Sequence, residues 1–577
     1  MTGNLDEKSE SRPQLTVVIT TRERHQLTET MIDELVRNTR IPIRLLYVDT
    51  GDPDWLRSKI ADRSNEWSLE VIRFDEPLWP TQARRRIVDL IDTKYAVFID
   101  NDVLVHSGWL EHLYECAEQT GAGIVGPLYL WGNDAQAESI HMAGGALIEE
   151  RLDNGIVLKE IHRCIGMKLD QVTLRREECD FVEFHCMLMR REVFRAPSVF
   201  DEAIVCVHEH IHASLAARAL GYKTFLEPAA KVNYLAFVPY SLADLPIFRW
   251  RWSFDAGESS IRAFAKRWGV IDDERSFGGV RAFLNHHRAQ VDPVRASLQD
   301  PLNSRTPMKE GNLKQTLTGL MELAVSKGYK ARDLERIEAS HWNALRLSNG
   351  GYRPCGRPFI NHLVGTASVL VHYGFETRLV EAALLHAAYT HAPHFYGGPQ
   401  ATVEAIARRL GGLRSDLERA VRAYTTRSMR WQQLSGLPNW QDVATMSDVD
   451  TSILALANDI DLKLSGEVRA TGRTDVGDSA ALSKASDICQ MLGIPGMAES
   501  ARPQPNSGEA VLIPRKFRPK GSFRVEGIKP VSMFNPSFFQ IQNPDIVAGS
   551  RSRYAAKALV KSVARRLGYE IHKIAPP

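Results

Sequence analysis

The sequence predicts an α/β domain with a mostly parallel sheet, followed by an all-α domain. From Leu15 to about Tyr234, short β-rich apolar runs alternate with amphipathic segments, which indicates βαβ units. From Asn312 to about Leu492, helical periodicity replaces this rhythm. We therefore expect five segments: a polar N-terminal tail (1–14), the α/β domain (15–275), a connector (276–311), the helical domain (312–500) and a linker with a basic tail (501–577).

The composition excludes several classes of protein. Hydrophobic residues make up 44% and charged residues 25% of the 577 residues, as in folded globular proteins rather than disordered or collagen-like chains. Seven cysteines without a CxxC pair indicate neither a disulfide framework nor a cysteine zinc site. The polar, acidic start does not resemble a secretory signal, and no apolar run is long enough to span a membrane. We expect a cytoplasmic protein.

Four apolar runs in the first domain are predicted strands: LTVVIT (15–20), IRLLYVD (43–49), LEVIRF (69–74) and YAVFID (95–100). Ligands of such folds bind beyond the carboxyl ends of the strands. The fourth run leads into Asp100, Asn101 and Asp102, and two carboxylates one residue apart suit Mg²⁺ or Mn²⁺ bridged to a diphosphate. A turn capped by Asp and Asn would explain the same three residues.

Several sequence blocks occur in a characteristic order: TVVITTRERHQL, YVDTGD, TQARRRIVDLIDTKYAVFIDNDVLVHSGWLEHL and CDFVEFHCMLMRREVFRAPSVFDEAIVCVHEHIHASLAARALGYKTFLEPAAKV. Together they resemble the family-2 glycosyltransferases with the GT-A fold, over about Leu15 to Gly269. The resemblance implies inverting transfer of a sugar from a nucleotide-diphosphate donor, assisted by Mg²⁺ or Mn²⁺. It also implies a saccharide or lipid-linked saccharide acceptor, as in polysaccharide biosynthesis, and no nucleic acid is expected as a partner.

The resemblance carries roles over to individual residues. Donor binding falls to Thr20, Thr21 and Arg22 at the end of the first strand, to Asp49, to Arg84 and to Asp100. Asp100 and Asp102 would hold the metal, with Asp102 as the direct ligand. The alternative for the run Arg84, Arg85 and Arg86 is a solvated helix face.

The attacking hydroxyl of the acceptor must lose a proton to a base. The Glu-Asp motif of the family aligns with Glu209 and His210, so Glu209 is the predicted base, with His210 as the alternative or as its partner. His208, His210 and His212 around Glu209 also raise the hypothesis of a zinc site, although a helix would scatter the three rings. Structural roles are favoured for His208 and His212.

Three aromatic or imidazole side chains lie in segments that border the acceptor cleft in relatives: Trp109, Phe184 and His185. Their rings could stack on a sugar, or they could equally belong to the core.

The helical segment FINHLVGTASVLVHYGFETRLVEAALLHAAYTHAPHF, with LALANDIDLKL later in the chain, resembles HD-type domains, which hold a metal for phosphate-ester hydrolysis. His362, His386 and Asp459 match metal-binding positions of such domains. Ala387 replaces the Asp of the His-Asp pair and cannot bind a metal. His391 and His394 could complete a site; the alternatives are a structural bundle and a ligand-sensing or partner-binding module.

The basic tail differs in charge from the rest of the chain. Residues 511–577 contain 13 Lys and Arg against 3 Asp and Glu, a net charge of +10, whereas the remainder carries −8. In a helical tail, one stripe would be apolar and a second basic: Leu559, Val563 and Leu567, and Lys557, Lys561 and Arg565. This pattern suits peripheral contact with anionic lipid at the inner face of a membrane, or packing on an acidic surface.

Three functional hypotheses follow from the sequence. The first is a metal-dependent glycosyltransferase. The second is a nucleotide-sugar binding protein or sensor that has lost catalysis. The third is a phosphohydrolase of the HD type acting through the helical domain.

Overall fold

The computed structural model describes residues 14–132, 136–294, 304–348, 350–391, 407–408, 410–412, 415–471, 484–502 and 523–524. The chain divides into two compact units, Met1–Asp292 and Pro293–Pro577. The division falls inside the segment predicted as a connector, whose first half is helical and belongs to the first unit. Apart from residues 523–524, the basic tail with both of its stripes lies outside the described residues, as does His394.

The first unit contains twelve described strands. They are β1 Leu15–Thr20, β2 Ile43–Asp49, β3 Leu69–Arg73, β4 Tyr95–Asp100, β5 Val103–Val105, β6 Ile124–Trp131, β7 Ser139–Met142, β8 Gly145–Leu152, β9 Gly155–His162, β10 Glu177–Cys179, β11 Cys186–Arg190 and β12 Thr224–Tyr234. Ten of them form one sheet in the order β10-β12-β6-β11-β4-β1-β2-β3, with β5 paired to β12 and β7 to β6. Strands β8 and β9 form a separate hairpin.

The parallel part of the sheet confirms the predicted α/β fold. Strands β3, β2, β1 and β4 run parallel, and β11 joins antiparallel between β4 and β6. Three of the four predicted strands have the predicted bounds, and the third ends one residue earlier, at Arg73. Because Thr20 pairs with both Val48 and Asp100, the polar residues after β1, β2 and β4 meet at one edge of the sheet.

Helices of the first unit are α1 Thr28–Asn38, α2 Asp54–Arg63, α3 Pro80–Ile87, α4 Trp109–Thr120, α5 Arg191–Phe194, α6 Glu209–Ala219, α7 Leu245–Arg251, α8 Phe254–Trp268 and α9 Glu274–Val291. Two of the side chains considered for the acceptor cleft belong to the core. Trp109 is fully buried at the start of α4, and its indole N–H donates to the hydroxyl of Thr39. Phe184 is buried and packs on Phe98.

The second unit is mainly helical. Its described helices of four residues or more are α10 Leu317–Ser326, α11 Ala331–Ser348, α12 Phe359–His372, α13 Thr377–Leu385, α14 Asp416–Thr425, α15 Arg427–Ser435, α16 Trp440–Val443, α17 Met446–Leu464, α18 Glu467–Thr471, α19 Ala485–Met491 and α20 Pro495–Ala501. Two short strands, β13 Gly351–Tyr352 and β14 Phe523–Arg524, pair with each other. Helices α12 and α17 are buried along most of their length, as expected for the centre of a bundle. Within the described residues, no helix is long and apolar enough to cross a membrane.

Candidate active site

The loops that follow β1 and β4 are tied together by Asn101. Its side-chain oxygen accepts a hydrogen bond from the backbone N–H of Arg22 at 3.2 Å. Its side-chain nitrogen donates to the carbonyl of Glu23 at 3.0 Å and to the hydroxyl of Thr28 at 3.1 Å. The middle residue of the acidic triplet therefore fixes the backbone that carries Arg22 and Arg24.

Each carboxylate of the triplet contacts an arginine from that loop. Arg22 forms an ion pair with Asp100, and Arg24 donates from Nη1 to Asp102 at 2.8 Å. Asp100 is fully buried, and Nδ1 of His185 lies 3.0 Å from its second oxygen, Oδ2. Arg24 also donates to the carbonyl of Val238, so the loop after β12 is held to the same cluster.

Arg84 is a buried cation whose hydrogen bonds are unfilled. Its side chain is 0% exposed, and none of its three guanidinium nitrogens makes a hydrogen bond to a described residue. The group lies 3.9 Å above the ring of Phe184, and Nη2 is 3.6 Å from Oδ1 of Asp100. Burial and the charge of Arg22 hold the pKa of Arg84 well below its usual value. Its neighbours Arg85 and Arg86 are partly exposed, so the predicted solvated face holds for them and not for Arg84.

The remaining predicted donor residues line the turn after β2 and the end of β1. The hydroxyl of Thr21 donates to Asp52 at 2.6 Å, whereas that of Thr20 is buried without a hydrogen bond. Asp49 accepts hydrogen bonds from the backbone of Gly51 and Asp52 and from the side chains Arg57 and Arg73. Its carboxylate is therefore engaged by groups of its own chain, which fix the turn.

Helix α6 begins at Glu209, and the preceding His208 takes a left-handed conformation with φ of 60°. Glu209 is 7% exposed, and its charge acts on Arg22, on Arg84 and on Arg251. Burial lowers the pKa of Arg22, while Asp102 and Glu209 both oppose that shift. Glu209 and Asp102 therefore act on the same guanidinium.

The rings of the three histidines around Glu209 have different packing partners. His208 lies 3.4 Å from Glu160 and packs on Phe264. His210 packs on Phe181. His212 hydrogen-bonds the carbonyl of Ser198 through Nε2 and accepts from the indole of Trp268 through Nδ1. The helix scatters the rings, so the three do not form a zinc site.

A cluster of histidines around Glu183 was missed by sequence reasoning. Nε2 of His141 lies 2.8 Å from Oε2 of Glu183, Nε2 of His185 lies 3.4 Å from the same oxygen, and Nε2 of His162 lies 3.7 Å from Oε1. Burial favours protonation of Glu183, but the attraction of His141, His185 and His162 outweighs it and holds its pKa well below the usual value. The residues come from separate segments that share no motif. The only signal in the sequence is the presence of a histidine in each of these segments.

The residues at the acidic triplet fit a divalent cation. Asp100, Asp102 and His185 each offer a ligand atom, and these atoms lie within 4.8 Å of one another. Among the described residues, Oδ1 of Asp100 has no hydrogen-bond partner, and Nη2 of Arg84 lies 3.6 Å from it. Two carboxylates and an imidazole are a donor set for an ion such as Mn²⁺.

Residues 16–196 match the family model described as Glycosyl transferase family 2. The first unit contains a family-2 glycosyltransferase domain. Solved structures similar to the chain include GalNAc-T7 with UDP, GalNAc and Mn²⁺ (13% identity, TM-score 0.32, 48% of this chain and 58% of that chain). Another is S. aureus TarS (12% identity, TM-score 0.29, 48% of this chain and 43% of that chain). The chain thus spans about half the length of these proteins, and no curated protein matches it.

The family match covers part of the site of the glycosyltransferase domain. It includes the residues predicted to bind the donor, the acidic triplet and His185. Glu209 and His210 lie beyond its last residue, 196. The match therefore does not bear on the roles predicted for these two residues.

In the second unit, the carboxylate beside His362 is that of Asp461 and not of Asp459. Nδ1 of His362 lies 2.7 Å from Asp461, whereas residues 459 and 461 point about 200° apart on α17. The ring of His386 lies 5.2 Å from that of His362, and Nδ1 of His386 donates to the carbonyl of Ala383. Among the described residues, His362, His386 and Asp459 are not close enough to hold one metal together.

Arg357 supplies a positive charge at this position of the helical unit. Its Nη2 donates to Oδ2 of Asp461 at 2.6 Å, and its Nη1 to Oδ1 at 3.1 Å. The carboxylate of Asp461 also leaves no room for a side chain at position 365, because a Cβ at Gly365 would lie 1.8 Å from Oδ1 of Asp461. The glycine of the HL-GT segment therefore permits the close approach of α12 and α17.

Proposed function

We propose that the glycosyltransferase domain is an inverting enzyme that moves a sugar from a nucleotide-diphosphate donor to a hydroxyl of a saccharide or lipid-linked saccharide. The observation that carries this proposal is the buried, hydrogen-bond-deficient guanidinium of Arg84 at the edge of the sheet. Burying an arginine without hydrogen bonds is costly, and the planar guanidinium matches a phosphate better than any other side chain. A diphosphate beside Asp100 would fill its hydrogen bonds.

Asp100 and Asp102, with His185, would hold Mg²⁺ or Mn²⁺ in this enzyme. Such an ion, when bound, supplies positive charge to the departing diphosphate. Arg22 and Arg24 form ion pairs with the two carboxylates, so a bound metal would share the carboxylates with these arginines or displace them. Arg84, whose Nη2 lies 3.6 Å from Asp100, is the cation that would meet the negative charge of the leaving group.

We propose Glu209 as the base. The charge of Glu209 acts on Arg22, Arg84 and Arg251, whereas the ring of His210 packs on Phe181. In the proposed reaction, the hydroxyl of the acceptor attacks the anomeric carbon, the bond to the diphosphate breaks, and the hydroxyl proton passes to Glu209. Attack by the acceptor oxygen on the face opposite the leaving diphosphate inverts the configuration of the anomeric carbon.

The test is release of nucleoside diphosphate from a panel of nucleotide sugars, with Mn²⁺ or Mg²⁺ and a panel of saccharide acceptors. We expect turnover by the wild type and loss of metal stimulation in Asp102→Asn. Asp54→Asn is the matched control, because the Asp54 side chain is fully exposed at the start of α2. Absence of release across the panel, together with unchanged donor binding by Asp102→Asn, would contradict the proposal.

A second candidate function is a donor-binding sensor without catalysis. The ion pairs of Arg22 with Asp100 and of Arg24 with Asp102 favour it, because arginines already occupy both carboxylates. Calorimetry separates the two functions. Donor binding without turnover, unchanged in Glu209→Gln, would establish the sensor and exclude the enzyme.

For the helical unit we propose a role other than phosphate-ester hydrolysis. The pairing of Arg357 with Asp461 supports this, because a guanidinium takes up the charge that a catalytic metal would supply. Hydrolysis of a generic phosphodiester that disappears in His386→Ala would refute it. Peripheral membrane contact through the basic tail and a cytoplasmic location stay predictions, and sedimentation with anionic vesicles tests the former.

A further inference from the structure

We propose a second metal site in the glycosyltransferase domain, in which His162, Glu183 and His210 bind a divalent transition metal of the zinc class. This site shares no ligand with the acidic triplet of Asp100 and Asp102. Three separate parts of the chain build it: the end of β9, the segment between β10 and β11, and the start of α6.

The separation of the ligand atoms suits a metal. One ligand atom from each of the three residues lies within 4.8 Å of the other two, and Nε2 of His162 is 3.7 Å from Oε1 of Glu183. Bonds of about 2.0–2.1 Å in a tetrahedral zinc site place neighbouring ligand atoms about 3.3 Å apart. A contraction of a few tenths of an ångström at His162 would bring this pair to that spacing.

The ring of His210 offers an unfilled nitrogen. Its Nε2 is buried and makes no hydrogen bond, although a buried polar group without a partner is costly. The ring packs on Phe181, an apolar wall on which His162 also packs. An imidazole lone pair directed to a metal would remove the cost, and imidazole with carboxylate is a donor set that zinc favours.

His141 orients the proposed ligand Glu183. Nε2 of His141 lies at hydrogen-bonding distance, 2.8 Å, from Oε2 of Glu183. A hydrogen bond there leaves Oε1, the oxygen nearer His162, for the metal. Such outer-shell partners fix the orientation of ligating carboxylates.

The alternative to a metal is that protonated histidines neutralise the buried carboxylate of Glu183. The distance of 3.7 Å between His162 and Glu183 exceeds that of a hydrogen bond. Neutralisation also gives no role to the unfilled nitrogen of His210. A metal accounts for both observations.

If the proposed glycosyl transfer holds, this site deepens it by assigning His210 to metal binding. Glu209 is then the remaining candidate for the base. Metal binding itself does not depend on that reaction, so the two proposals can fail separately.

The test is titration of the metal-free full-length protein with Co²⁺, whose visible absorption reports ligand number and geometry, followed by competition with Zn²⁺. We expect the strong visible absorption of four-coordinate Co²⁺ in both the wild type and Asp102→Asn; Co²⁺ held by the acidic triplet is counted separately, as the binding that Asp102→Asn removes. In His162→Gln and His210→Gln we expect affinity to fall by more than the roughly 10–100-fold typical of a lost outer-shell partner. His141→Gln should lower the affinity by a factor within that range. His112→Gln, on α4, is the matched control and should leave the affinity unchanged.

A wild type without the Co²⁺ absorption, or an absorption that Asp102→Asn removes and His162→Gln leaves intact, would overturn the proposal. Thermal unfolding shows whether each variant is folded. Excess Zn²⁺ should raise the unfolding temperature of the wild type and of Asp102→Asn but not of folded His162→Gln. No rise in the wild type would likewise overturn it.

Discussion

Replacing Arg84 by methionine should stabilise the free protein and weaken donor binding. The guanidinium is buried and makes no hydrogen bond, so in the free protein it carries a desolvation cost that the 3.6 Å contact with Asp100 offsets only in part. An unbranched apolar side chain of similar length fills the same space without that cost. We therefore expect an unfolding free energy that is unchanged or higher by about 1 kcal/mol or more.

Donor binding should respond in the opposite direction. Hydrogen bonds to charged groups contribute about 1.5–3 kcal/mol each, and a guanidinium can donate two of them to one phosphate. Loss of both, about 3–6 kcal/mol, corresponds to a 10²- to 10⁴-fold weaker affinity for nucleoside diphosphate. Calorimetry with a panel of nucleoside diphosphates measures the affinity, and thermal unfolding measures the stability.

Arg85→Met is the control, because Arg85 is on the same helix, partly exposed and 4.0 Å from Asp89. It should change neither quantity by more than a few tenths of a kcal/mol. The reasoning is refuted if Arg84→Met destabilises the free protein and binds every tested diphosphate as the wild type does. Arg84 would then be a structural cation.

Three further outcomes are expected. Glu209→Gln should lower kcat for diphosphate release by about 10²–10⁴-fold while donor affinity stays within a few-fold of the wild type, and a preserved kcat would exclude Glu209 as the base. Burial lowers the pKa of His287 from 6.5 to about 3, so below about pH 6.5 the unfolded chain binds a proton that the folded chain does not. The free energy of unfolding should therefore fall by up to about 2 kcal/mol between pH 7 and pH 5. Thermal unfolding of His287→Phe at pH 7 and pH 5 should show a smaller loss of stability, and a loss equal to that of the wild type would contradict the assignment. Gly365→Ala should destabilise the helical unit by about 3–5 kcal/mol, because the new Cβ displaces the buried carboxylate of Asp461, whereas Gly311→Ala meets nothing within 4 Å and should be close to neutral in chemical unfolding.

Local pattern was sufficient to predict the four parallel strands β1 to β4 of the sheet. Strand β4 begins at Tyr95 and ends at Asp100 as its apolar run predicts, because a parallel strand buried on both faces must be apolar along its whole length. The position of Asp102 after that strand follows from chain order alone.

Side-chain partners across the fold could not be predicted in this way. Arg84 stands in a run of three arginines, and only the tertiary packing shows that the first is buried over Phe184 while the next two reach solvent. Glu183 and His141 are 42 residues apart, so no spacing rule connects them. In the helical unit, the choice between Asp459 and Asp461 depends on the rotation of one helix, which a family pattern did not specify.

Unlike a bound metal ion, the guanidinium of Arg357 is covalently part of the chain. A chelator cannot remove it and a competing metal cannot replace it. The guanidinium also stays protonated across the pH range in which histidine and carboxylate ligands titrate. The contact between α12 and α17 at Asp461 is therefore independent of the metal supply of the cell.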